Sequence, residues 1–125
     1  MEKDYLIIDR TKWRTGCFNE TRTGLGTTQL LNKEGFMCCL GFRCLQMGIP
    51  KQHLMDVSMP CNLSDNWTIP DLLNLDGYNS DFCDRATNIN DNSSSTESKE
   101  VDLIDLFSEK GITVEFKGKY KHKYE

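Results

Sequence analysis

Between Phe36 and Met47 the chain offers water very little. The run reads Phe-Met-Cys-Cys-Leu-Gly-Phe-Arg-Cys-Leu-Gln-Met, and only Arg43 and Gln46 are strongly polar. It has the length of a helix, and Gly48 with Pro50 supplies a stop. Arg43 and Gln46 lie three apart and share one narrow stripe, so nearly the whole cylinder must be covered by other parts of the chain. Cys38, Gly41 and the Cys44/Leu45 pair fall on one face, where small side chains let a neighbouring element come close.

The rest of the chain must supply that cover. Tyr5-Leu6-Ile7-Ile8 reads as a strand. Thr21 to Gly26 reads as a Gly/Thr-rich loop, and Thr27 to Leu31 as a second strand. Asn32 to Gly35 is a turn. Residues 51–92 read as a long irregular region broken by Pro60 and Pro70, with at most short helical turns. Ser94-x-x-Glu97 is a capping box. It opens a helix at about 97–110, with a stripe of Val101, Ile104 and Phe107 widened by Leu103 and Leu106. Gly111 ends it. Ile112 to Phe116 alternates as a strand, and residues 117–125 form a basic tail expected to be free in solvent. With 125 residues, 38% of them apolar, a single domain over 1–125 is expected. The expected class is α+β: a small, mainly antiparallel sheet packed against the buried helix at about 36–47, with the amphipathic helix beside it.

Charge is segregated along the chain. The net charge is −4. Residues 1–55 carry +3, residues 56–109 carry −10, and residues 110–125 carry +3. Such an acidic block attracts basic surfaces and repels nucleic acid. The competing reading is an ordinary solvated face that keeps the protein soluble. No window holds 18 consecutive apolar residues, so no membrane span is expected. The apolar run near Met1 is too short for a signal peptide, which makes the cytosol the expected compartment. The six cysteines are then expected as reduced thiols, and the four Asn-x-Ser/Thr sequons as chance.

No Cys-x-x-Cys pair exists, so no metal site is expected among the thiols. The chain has only His53 and His122, neither spaced to activate a cysteine, so no catalytic residue is assigned. No cofactor is implied. Arg22-Thr-Gly-Leu-Gly-Thr-Thr28 is the best small-molecule motif. It lacks the third glycine or the lysine of the established phosphate loops, yet its amides suit an anion. The candidate ligand set is Trp13, Arg14, Arg22, Gly24, Gly26 and Thr27, with Trp13 placed to stack on a base.

Thr28-Gln-Leu-Leu-Asn32, then Gly35-Phe-Met-Cys-Cys-Leu-Gly-Phe42 with Cys44 and Gly48, resembles a group of small tailed-bacteriophage proteins. Ile89-Asn90-Asp91 and Leu106-Phe-Ser-Glu-Lys-Gly-Ile-Thr-Val-Glu-Phe116 extend the resemblance over about two-thirds of the chain. It implies phage origin, action in the host bacterial cytoplasm and, by association, interference with host defence. Three readings are open. The leading one is a non-enzymatic, anti-CRISPR-like inhibitor whose acidic face occupies a basic, nucleic-acid-binding groove of a host protein. Its contact residues would be Asp71, Asp76, Asp81, Asp84, Asp102 and Asp105, with Trp67 and Tyr78 as apolar anchors. The second is a sponge that sequesters a nucleotide immune signal through the glycine loop. The third is a small Cys- or metal-dependent enzyme.

Overall fold

The computed structural model describes residues 4–17, 20–58 and 80–123. Four strands are described: β1 (Asp4–Asp9), β2 (Thr15–Cys17), β3 (Glu20–Thr23) and β4 (Ile112–Lys117). Four helices are described: α1 (Cys39–Gln46), α2 (Lys51–Leu54), α3 (Ser80–Asp91) and α4 (Thr96–Ser108). The class is α+β. The sheet component consists of two separate pairs. β2 and β3 are antiparallel, with a bulge between Thr15 and Gly16, while β1 and β4 are parallel, in register Leu6 to Val114 and Ile8 to Phe116. A parallel pair has no hairpin to join it, so the whole intervening chain is the crossover.

The alternation of β1 and β4 settles their inner face: Leu6, Ile8, Ile112 and Val114 are buried. α1 begins at Cys39 rather than Phe36, because Met37 instead pairs with the Trp13 backbone. Its stop at Gly48 is as expected. So is its small-residue face, where α1 lies directly against the backbone of Leu30 at Gly41. The expected polar stripe is corrected at Arg43, which has no exposed surface and donates to the Gln46 Oε1 at 2.8 Å. Gln46 is exposed and donates to the Tyr5 carbonyl.

Further expectations need correction. Thr27–Leu31 is not a strand; the segment runs irregularly, with one bridge from Leu31 to Met55. The second pair of strands lies earlier, at Thr15–Cys17 and Glu20–Thr23, and only residues 21–23 of β3 fall in what reads as the Gly/Thr loop. The irregular region at 51–92 contains α2 and the full twelve-residue helix α3. α3 buries Phe82, Cys83, Ala86 and Asn90 on one face. The N-cap of α4 is Ser95 rather than Ser94, its side chain accepting from the Ser98 amide at 3.2 Å. The basic tail is tied down through residue 123. The Gly24 amide donates to the His122 carbonyl at 3.0 Å, and Lys123 pairs with Glu97.

The layers meet at one buried side chain, Asn90. Its Oδ1 accepts from the Trp13 indole at 2.8 Å and from the Cys39 amide at 3.1 Å. Its Nδ2 donates to the Arg14 carbonyl at 3.0 Å and to Asp91 at 2.9 Å. Its carbonyl accepts from the buried Lys99 ammonium at 2.8 Å. α1 has no side-chain cap of its own, and Asn90 satisfies the first amide of that helix from a different helix.

Two substitutions test this packing. Gly41→Ala places a methyl group on the Leu30 carbonyl and should cost about 1–3 kcal/mol in urea unfolding. Asn90→Ala strands a buried indole, amide and carbonyl and should cost about 3 kcal/mol or more. If either variant melted like the parent, the corresponding contact would not be a structural constraint.

Candidate functional site

Of the expected docking residues, Trp67, Asp71, Asp76 and Tyr78 lie outside the described residues. Asp81 falls in the first turn of α3, and its side chain also lies outside them. Asp84 on α3 and Asp102 and Asp105 on α4 are all exposed. The two helices pack through Phe82 and Phe107, ring centroids 5.1 Å apart, and the exposed Arg85 guanidinium meets the Glu109 carboxylate at the end of α4 at 3.1 and 3.3 Å.

The face that α4 turns to water differs from its expected one. The buried set is Thr96, Lys99, Leu103, Leu106 and Phe107. Val101 and Ile104, expected in the core stripe, are exposed by 58% and 41%. They sit beside Asp102 and Asp105. The outer face therefore alternates branched apolar groups with carboxylates. Sequence reasoning misplaced this face because the true buried stripe contains a lysine, which a polarity pattern assigns to solvent.

The carboxylates of α4 divide into two groups. Near the N-terminus, Glu97 accepts from Lys123 at 2.6 Å, which holds its carboxyl below the ordinary range. Glu100 accepts from Arg10 at 2.7 Å and from the Tyr120 hydroxyl at 2.6 Å. Burial, then this bond to Glu100, pushes the Tyr120 hydroxyl up. Towards the C-terminus, Asp102 and Asp105 make no ion pair among the described residues. The last turn holds no basic residue. Asp105 stands in that turn, where the helix dipole disfavours a negative charge. The uncompensated charge of the helix thus collects beside Val101 and Ile104.

The glycine-loop ligand set requires correction. Trp13 and Arg14 are wholly buried. The Trp13 ring lies 5.0 Å from that of Phe116 and 6.3 Å from that of Tyr120, and its indole N–H is taken by Asn90. Arg14 donates to the carbonyls of Thr15, Gly16, Cys17 and Gly26. Burial lowers its pKa, and Asp91 opposes that shift. Neither residue presents a surface to a nucleotide. Gly24 and Gly26 both adopt positive φ, and a side chain at Gly24 would crowd Phe36 and the Trp13 carbonyl. Asn32 donates to the carbonyls of Leu25 and Thr27. Thr27 donates to Gln29 at 3.0 Å, and Arg22 is half-buried. The loop thus turns carbonyls towards internal cations and amides, the reverse of a phosphate cradle. The hollow of about 360 Å³ beside it is lined by Glu34 and Asp56 against Lys33.

Cys17, Cys38, Cys39, Cys44 and Cys83 are free, and only Cys17 among them is exposed. Burial pushes the Cys38 and Cys44 thiols from 9.0 up to about 12, and raises Cys39 strongly. A buried neutral thiol is a small apolar group and a poor nucleophile. No cluster of three or more metal-ligating side chains occurs among the described residues. No described helix is long and apolar enough to cross a membrane. Comparison with family models, with curated proteins and with solved structures finds no match.

The thiols generate a pH prediction. Unfolded thiols ionise near pH 9 while the folded Cys38 and Cys44 keep their protons to about 12. The unfolded state therefore binds fewer protons in that window, and stability must fall as pH rises from 9 towards 12, by about 1.4 kcal/mol per pH unit for each such thiol. Urea midpoints taken across pH 8–11 measure this. Cys39 and, above pH 10, Tyr120 add to the same slope, so the Cys38→Ala, Cys44→Ala double variant should lose about half of it.

Proposed function

We propose that the chain is a non-enzymatic binding protein. The outer face of α4 docks on a cationic surface of another protein, of the kind that holds nucleic acid. In concrete form this is a phage-encoded, anti-CRISPR-like inhibitor acting in the host bacterial cytoplasm. The observation that carries the reading is the composition of that face: Asp102 and Asp105 without ion pairs among the described residues, flanking exposed Val101 and Ile104.

Charge alone suffices for a face that serves solubility. A docking face uses both charge and exposed aliphatic groups. Carboxylates steer the encounter and set its orientation, while apolar groups at the centre lose water and slow dissociation. Asp84 on the neighbouring helix extends the negative field. Asp105 in the last turn of the helix adds a second argument. Its charge opposes the helix dipole at a cost of about 0.3–1 kcal/mol, a feature expected where binding outweighs stability.

The test is a plating assay. Phage targeted by an active CRISPR system is plated on hosts expressing the chain, across a panel of effector types. The parent should raise plating efficiency for at least one type. The Asp102→Lys, Asp105→Lys variant should lose at least tenfold of that gain, and Val101→Ser, Ile104→Ser should lose a comparable amount. Full protection by the charge-reversed variant would overturn electrostatic docking. Asp105→Asn supplies a separate check: its urea midpoint should rise slightly while protection falls.

A further inference from the structure

A second site lies away from the outer face of α4. A groove of about 590 Å³ opens between the start of β1's exit loop, the turn at Lys33–Gly35, α1 and α2. Its floor is Leu31, Met37, Phe42, Leu45 and Met55. Lys12, Lys33 and Lys51 stand around it, all exposed. None of these three lysines makes an ion pair among the described residues. Asp9 is the single carboxylate of the lining, and its Oδ1 is occupied by the amide and hydroxyl of Thr11 at 2.9 and 2.7 Å. A cationic groove thus exists on a chain whose net charge is −4.

Backbone bonds fix the walls. Arg14 and Met37 exchange amides with each other's segments: Arg14 N–H donates to the Met37 carbonyl at 2.9 Å, and Met37 N–H to the Lys12 carbonyl at 2.9 Å. On the other side the Asp56 amide donates to the Leu31 carbonyl at 2.9 Å. The groove is therefore formed before any ligand arrives, which lowers the ordering cost of binding. Its volume lies in the range of small-molecule sites.

We infer that this groove binds an anionic amphiphile, with an aliphatic body on the Leu31–Met37–Phe42–Leu45–Met55 floor and a carboxylate or phosphate head among Lys12, Lys33 and Lys51. The floor selects the body. Its five side chains form no hydrogen bonds of the kind that read a nucleobase edge, the lining's one amide being Gln52 on α2, whereas two methionines adapt to a flexible chain. The three ammonium groups select the head, which they meet as separate point charges rather than as a fixed fork. This site does not depend on the docking role of α4, and Lys12, Lys33 and Lys51 take no part in that role.

The experiment is a titration of the full chain carrying ¹³C-methyl methionine, with decanoate and decyl phosphate kept below their micelle concentrations. Both should shift the Met37 and Met55 methyl signals saturably. Decanol, which lacks the head, and inorganic phosphate, which lacks the body, should bind at least tenfold more weakly. The Lys12→Gln, Lys33→Gln, Lys51→Gln variant should weaken decanoate by about tenfold or more and flatten its salt dependence. Leu45→Gln, with all three lysines intact, should weaken decanoate and decyl phosphate alike. Equal affinity in the lysine variant, shifts confined to other methionines, or binding of adenosine monophosphate in preference to decanoate would each overturn the assignment.

Discussion

The side chain of Asn90 is a buried polar joint at which three pieces that also share one hydrophobic core are tied together. The Asn90 side chain bonds to the β1–β2 connection and to the first turn of α1, and the backbone carbonyl of the same residue accepts from α4. Each of those groups is buried and polar, and a buried polar group without a partner costs free energy that apolar packing cannot recover. An amide is the side chain that fits, since it accepts at one end and donates at the other. A leucine of similar volume would fill the space and leave the Trp13 indole, the Cys39 amide and the Arg14 carbonyl without partners.

The charges around that joint follow the same rule. Arg14 and Lys99 are both fully buried, and each is turned towards backbone carbonyls: Arg14 towards β2 and Gly26, Lys99 towards the end of α3. A cation at a helix C-terminus meets the negative end of the dipole. Asp91 lies close enough to oppose the desolvation of Arg14, and its own carboxyl is raised by burial more than Lys99 and Arg14 lower it. These cations hold loops and helix ends in place. Their role explains why Arg14 is not available to a ligand.

How legible this was in the sequence depends on the distance over which each feature is decided. The strands β1 and β4 were readable because alternation is local, and so was the close approach at Gly41, because a small residue in an apolar helix has few other uses. The direction of pairing was not, because an alternating strand reads the same whether its partner runs parallel or antiparallel. α3 was hidden because its inner face consists of Phe82, Cys83, Ala86 and Asn90, a set with one large apolar residue and an amide. Trp13 and Arg14 look like a basic, aromatic surface motif in their local context. Their burial depends on Asn90, Phe116 and the β2 carbonyls, and no window around residue 13 contains the first two. On α4 the same difficulty decided the candidate site: burial of Lys99 rotates the helix away from its most apolar reading and brings Val101 and Ile104 to the surface.

That rotation gives the acidic segment its meaning in the proposed docking role. Were Val101 inside and Lys99 outside, α4 would present an ordinary solvated face, with a cation among its carboxylates. Burying Lys99 removes the only basic side chain of the helix from its surface and leaves the acids of the C-terminal half uncompensated. The same rotation exposes two aliphatic groups between them. The lysine is retained inside because the Asn90 carbonyl accepts from it. The same end of α3 that carries the polar joint thus also bears on what α4 presents to a partner; since the acceptor is the backbone carbonyl of Asn90, it is a change at Lys99, not at the Asn90 side chain, that would alter the docking face from inside.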